Sequence, residues 1–144
     1  MRVLVIHGPN LNLLGRRDPS IYGDATLDDV NAAIAEEAGV LDVEVEIEQT
    51  DREGRIIELL HEGIGRIDGA VVNPAAYSHT SRAIAEAIHA VPFPVIEVHL
   101  SNIHAREDWR RISVTAEAAT GVVAGLRTGS YLAALGALKR LVEG

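Results

Sequence analysis

The chain has 144 residues, 47% of them hydrophobic, with 21 acidic residues against 13 lysines and arginines, a formal net charge of -8 and no cysteine. That describes one domain, 1–144, with enough apolar content to bury a core. It excludes intrinsic disorder, disulfides and thiol nucleophiles, and its acidity argues against a nucleic-acid partner.

The elements follow in chain order. Residues 3–6 read as a short buried strand. Residues 7–23 contain three glycines and two prolines, which predicts a long loop that is neither helix nor strand. Loops of this length in small domains are usually lids or binding segments. This one, about residues 8–24, carries Arg16, Arg17 and Tyr22. Thr26, with Asp29 three residues on, caps a helix over 27–38. Residues 42–48 alternate Val43, Val45 and Ile47 with acids, the pattern of a half-exposed strand, and Asp51 stands ready to cap a helix over 55–64. Residues 69–72 and 95–98 read as buried strands on either side of a helix over 81–90. A fifth strand falls at 121–126, and a closing helix over 131–142 lines up Leu132, Leu135, Leu138 and Leu141 or Val142. No apolar run reaches the roughly 18 residues of a membrane helix, and Met1-Arg2 passes into strand-like sequence without a signal peptide, so the expected setting is cytoplasmic, with no membrane partner.

This alternation predicts a parallel sheet of order 2-1-3-4-5 with helices on both faces and its ligand site at the carboxyl ends of the strands. The residues just past those ends are His7 to Asn10, Asn73 to Ser81 and His99 to Asn102, so polar and imidazole groups collect at one rim. Arg16, Arg17, Arg106, Arg110 and Arg111 fall in loop-like segments. They would give an acidic protein a cationic pocket, suited to a small anionic molecule.

Three constellations carry two readings each. Asn73, Ser78, His79, Thr80 and Ser81 precede a helix and either cap it or cradle an anion on its N-terminal N–H groups. Glu97, His99 and Ser101 share one face if the strand persists. Either the carboxylate orients the imidazole for general-acid work, or the histidine is satisfied in a structural network. Tyr22 is a packing residue in a turn or, with Arg17 favouring its ionised oxygen, a base; an unassisted phenol, with a pKa of about 10, is a poor one at neutral pH. Trp109 and Phe93 read as packing residues. His99 and His104 lack a helical metal-binding register, so no metal is expected. Lys139 is the only lysine and lies on the closing helix, away from the rim, which leaves an iminium mechanism without a nucleophile. Dinucleotide and Walker A motifs are missing, as are the phosphate loop of a flavin module and the acidic cluster of a phosphorylated receiver. Proton chemistry on a polar anionic substrate, with no cofactor, is what remains.

Gly8-Pro-Asn-Leu-Asn-Leu-Leu-Gly15 followed by Arg17, Pro19, Tyr22 and Gly23, then Asn73-Pro-Ala-Ala-Tyr-Ser-His79-Thr-Ser81, then Glu97-Val-His99-Leu-Ser101-Asn102-Ile-His104-Ala-Arg106-Glu107, resemble the type II 3-dehydroquinate dehydratases over essentially the whole chain. The resemblance implies a flavodoxin-like three-layer α/β sandwich assembled as a dodecamer of trimers. It also implies a cofactor-independent lyase of the shikimate pathway that dehydrates 3-dehydroquinate to 3-dehydroshikimate through an enolate. Tyr22 is then the proton acceptor, Arg17 the cation that favours its ionised form, His99 the proton donor and Glu97 its orienting partner. Asn10 would place a water near the tyrosine. Asn73, His79, Leu100, Ser101 and Arg110 would bind the substrate, with Arg106 supporting the lid. Glu86, commonly aspartate in the family, would reach a neighbouring subunit's site. Ala75 and Arg127 stand where glycine is typical, and Ser130 follows in the same turn region.

Overall fold

Five parallel strands set the frame of the computed structural model, which describes residues 1–144. They are β1 (Arg2–His7), β2 (Glu44–Gln49), β3 (Gly69–Asn73), β4 (Val95–His99) and β5 (Gly121–Ala124), in the expected order β2-β1-β3-β4-β5. Helices α1 (Pro19–Tyr22), α2 (Leu27–Leu41), α3 (Glu53–Glu62), α4 (Arg82–Ala90) and α5 (Thr128–Glu143) connect and cover them.

Strand alternation divides the core in two. Val3, Val5, Val71, Ile96 and Val98 pack with Ile34 of α2 and Leu135 of α5. Leu4, Ile6, Ala70, Val72 and Val95 pack with Ile56 of α3 and Ile84 of α4. Covered on both faces, β3 and β4 are buried at every residue, which is why they read as unbroken apolar runs. The edge strand β2 exposes Glu44 and Glu46, charges that discourage pairing with another chain. No helix is long and apolar enough to cross a membrane.

The departures from expectation are local. The loop after β1 is not free of helix: it holds a 3₁₀ turn at Leu11–Leu13 and the single turn of α1. Pro19 occupies the first helical position, where its missing N–H is not needed, and the Asp18 carboxylate accepts from the Ser20 N–H at 2.9 Å. Gly23, at φ 83°, closes that turn in a conformation glycine adopts without strain. Leu11 and Leu14 are buried in the core and pin the first half of the loop, each burial contributing about 1.5–3 kcal/mol. Beyond them, from Gly15 to Tyr22, no residue of the expected lid is buried.

Asp51 does not cap α3. Arg52 holds the cap position without a side-chain bond, while the Asp51 carboxylate accepts from the Asn10 N–H at 3.0 Å and from Gln49 Nε2 at 3.1 Å. The buried seam of α5 is Ser130, Tyr131, Ala134, Leu135 and Leu138, one turn earlier than the leucine pattern suggested. Leu138 already packs against Gly69 at the start of β3, so Leu141 and Val142 lie beyond the sheet and are exposed. Gly125, at φ 88°, ends β5 before Leu126.

Candidate active site

The loops after β1, β3 and β4 wall a single cavity of about 140 Å³ at the carboxyl ends of the strands. Its floor depends on Gly8. The Gly8 N–H donates to the Asn73 carbonyl at 2.8 Å, and a Cβ on Gly8 would lie 2.7 Å from that same oxygen. No larger residue lets the β1 and β3 loops approach so closely.

Asn10, Arg17, Tyr22, Asn73, His79 and His99 all line the cavity, together with Leu100, Ser101, Arg106 and Arg110. Three guanidinium groups and no carboxylate face it, so an acidic protein has a locally cationic pocket. Arg16 and Arg111 are not part of it; both are exposed, and Arg111 pairs with Asp108 at 3.4 Å. Its volume is well below the roughly 300 Å³ where pockets for drug-sized ligands begin, which selects for a small molecule.

Arg17 Nη2 donates to the Tyr22 hydroxyl oxygen at 2.6 Å, and the Arg17 guanidinium also lies 3.8 Å from the centre of the Tyr22 ring. Arg106 approaches the same ring at 5.0 Å. A guanidinium has only donors, so this contact rewards negative charge on the phenolic oxygen. The single turn of α1 makes the geometry possible, since it folds the chain back between residues 17 and 22.

His99 Nε2 meets Glu97 Oε2 at 2.8 Å, as strand alternation predicts. Glu97 is fully buried. Its other partners are Ser113 Oγ, donating to Oε2 at 2.7 Å, and Thr115 Oγ1, donating to Oε1. A buried carboxylate without hydrogen-bond partners would carry a large desolvation cost, which these contacts offset. Sequence reasoning did not find Ser113 and Thr115; their only signal is a pair of hydroxyls two residues apart in an irregular segment.

His79 Nδ1 faces the Ile112 carbonyl at 2.7 Å, so Nδ1 carries the proton and Nε2 is left for other contacts. Burial holds its pKa below the ordinary histidine value, only partly offset by that carbonyl, and the charges of His99 and Arg110 act in the same downward direction. The His79 and His99 rings stack at 6.5 Å, and Trp109 meets His79 edge-on at 5.2 Å. Trp109 is 52% exposed and carries Arg110 on its face, so it is not the packing residue expected; Phe93 is. Ser81 caps α4, accepting from the Ile84 N–H at 3.0 Å, which decides its role in favour of the cap.

One expected placement is corrected. His7 is the last residue of β1 and is wholly buried, not at the rim; Nδ1 meets the Tyr131 hydroxyl at 2.8 Å and Nε2 meets Asn31 Oδ1 at 2.7 Å. Burial pushes its pKa down to about 4 despite the Asn31 bond. Glu86 is exposed on α4 in a separate groove with His89 and Glu117, so its own chain does not bring it to the cavity. Ala75 and Arg127, where the family resemblance led one to expect glycine, have φ of 51° and 53°, the left-handed side that glycine prefers. Lys139 donates to the Leu41 carbonyl and pairs with Glu143 at 3.4 Å, far from the rim as expected. No three His, Asp or Glu side chains gather as a metal site would require.

Fold and site together define a doubly wound, flavodoxin-like α/β domain with a cation-rich cavity that juxtaposes a phenol and an imidazole. Residues 1–139 match the family model described as dehydroquinase class II. The chain is 51% identical over 142 residues to the 3-dehydroquinate dehydratase of Thermoanaerobacter pseudethanolicus, covering 99% of this chain and 96% of that one. Its structure resembles that of the type II dehydroquinase from Butyrivibrio crossotus, with a TM-score of 0.94 at 41% identity over 96% and 97% of the two chains. The type II dehydroquinase from Propionibacterium acnes gives 0.92 at 45% identity, over 96% of each. The chain belongs to the class II dehydroquinase family.

Proposed function

We propose that this chain dehydrates 3-dehydroquinate to 3-dehydroshikimate by acid–base chemistry alone, as a lyase of the shikimate pathway. The observation that carries the reading is the pair of contacts across one cavity: Arg17 on the Tyr22 oxygen at 2.6 Å, and Glu97 on His99 at 2.8 Å.

The Tyr22 oxygen, ionised beside Arg17, takes a proton from the carbon next to the substrate ketone, and the C–H electron pair moves into an enolate. Collapse of the enolate restores the ketone, forms the new C=C bond and expels the neighbouring hydroxyl. His99, doubly protonated with Nε2–H on Glu97, delivers its other proton to that hydroxyl, which leaves as water. Return of a proton from Tyr22 to His99 resets both groups. Asn10 places a water against the enolate oxygen. Asn73, His79, Leu100, Ser101 and Arg110 hold the hydroxyls and the carboxylate, while Arg106, packed on the Tyr22 ring, supports the lid.

Twelve chains assemble as four trimers, and Glu86 acts across a subunit boundary.

A direct absorbance assay for the enone formed from 3-dehydroquinate tests the reading. Steady product formation in a chelator-treated preparation is the expected result, unaffected by borohydride added with substrate. No enone, or irreversible borohydride inactivation, would overturn it.

A further inference from the structure

β1 and β3 pair in register, His7 beside Asn73, and both residues belong to the odd-numbered set that faces α2 and α5. This brings together Asn31 of α2, His7, Tyr131 of α5 and Asn73, four polar side chains that link α2 to the cavity wall. Only Asn73 touches the cavity.

With Asn31 Oδ1 facing His7, every hydrogen bond in the row takes one direction. Asn31 Oδ1 can only accept, so His7 Nε2 carries a proton and donates to it at 2.7 Å. In neutral imidazole the other nitrogen must then accept, so the Tyr131 hydroxyl donates to His7 Nδ1 at 2.8 Å. With its single proton committed, the Tyr131 oxygen accepts from Asn73 Nδ2 at 3.0 Å. At the far end, Asn73 Oδ1 accepts from the Ala75 N–H at 3.0 Å. Flipping the Asn73 amide would set its NH2 against the Ala75 N–H, donor against donor. The constraints from α5 and from the β3 loop therefore agree.

We infer that Tyr131 is a positioning residue: through a one-way relay from Asn31 and His7 it fixes the orientation of the Asn73 carboxamide, so that the second Nδ2–H is the one proton Asn73 has left to offer a substrate oxygen. This rests on the proposed role of Asn73 in binding substrate. A residue acting this way changes substrate affinity and leaves the acid and base in place.

Neutron diffraction on deuterium-exchanged crystals reads the relay without turnover. Deuterium on His7 Nε2, none on His7 Nδ1, and a Tyr131 O–D aimed at His7 are expected; deuterium on Nδ1 would overturn the relay. Kinetics read its consequence. Tyr131→Phe should raise KM by about 2–13-fold, the range of one lost neutral hydrogen bond, with kcat within about twofold. In an Asn73→Ala background the same substitution should add less than about twofold. Unchanged KM in Tyr131→Phe, or an equal effect with and without Asn73, would show that Tyr131 does not act through it. If Tyr131→Phe does not fold, Asn31→Ala at the half-buried end of the row carries the test, with a rise in KM that again disappears in the Asn73→Ala background. Failure of the proposed function would leave the wild type without enone formation, whereas failure of the relay alone shows in the deuterium positions of an active enzyme.

Discussion

His7, the last residue of β1, and Glu97, in the middle of β4, are both fully buried but have different partners. Glu97 has three donors; His7 has neutral partners and no carboxylate bonded to it, so its charged form is disfavoured. The folded protein resists protonating His7 down to pH about 4, whereas an unfolded histidine protonates near 6.5. Between those values the unfolded chain binds more protons, so stability rises with pH. The contribution of His7 is complete above about pH 6.5 and is lost as pH falls towards 4, amounting to about 3 kcal/mol. Urea unfolding from pH 4 to 7 should show that slope in the wild type and a flatter one in His7→Asn. Parallel curves would exclude His7 as the source. Legibility at this scale followed distance along the chain. Arg17 with Tyr22 and Glu97 with His99 lie within one turn or one strand, and their pairing could be read from spacing. Ser113 and Thr115 reach Glu97 from 16 and 18 residues away through an irregular segment, and no periodicity announces that contact.

At the scale of elements, capping was readable where two residues cap reciprocally, as at Thr26, and misread at the lone Asp51, which bonds Asn10 and Gln49 instead. Thr26 and Asp29 form the reciprocal capping box that their spacing indicated, at 3.2 and 3.0 Å. Thr26→Ala should lower stability by about 1 kcal/mol without altering kcat, measured by urea unfolding alongside the enone assay. In the loop after β1 a proline and a glycine bound a helical turn instead of breaking one: Pro19 opens α1 and Gly23 closes it. Leu11 and Leu14 anchor that loop through contacts that local sequence does not specify. Ala75 makes a complementary case. At φ 51° it adopts a conformation that costs an L-residue about 1–2 kcal/mol, so Ala75→Gly should gain about 0.5–1 kcal/mol after the added chain entropy. A loss of stability on that substitution would mean that the alanine methyl is packed rather than strained.

For the whole molecule, sheet order and the position of the cavity followed from the alternation of strands and helices, because a parallel sheet with two covered faces leaves few topologies. Glu86 lies away from its own chain's cavity, so the role proposed for it requires a second subunit. Light scattering should return a mass near twelve times the 15.4 kDa chain. Glu86→Ala should keep its fold while weakening substrate binding; a monomer with full activity would remove the inter-subunit role.

In the proposed mechanism the Tyr22 oxygen, beside Arg17, is the base. Turnover of 3-dehydroquinate by Tyr22→Phe tests it most directly, because the substitution removes one oxygen and little packing. The expected result is a fall in kcat of about 10²–10⁴-fold with an unfolding transition close to that of the wild type. Near-normal turnover by that variant would show that Tyr22 is not the base.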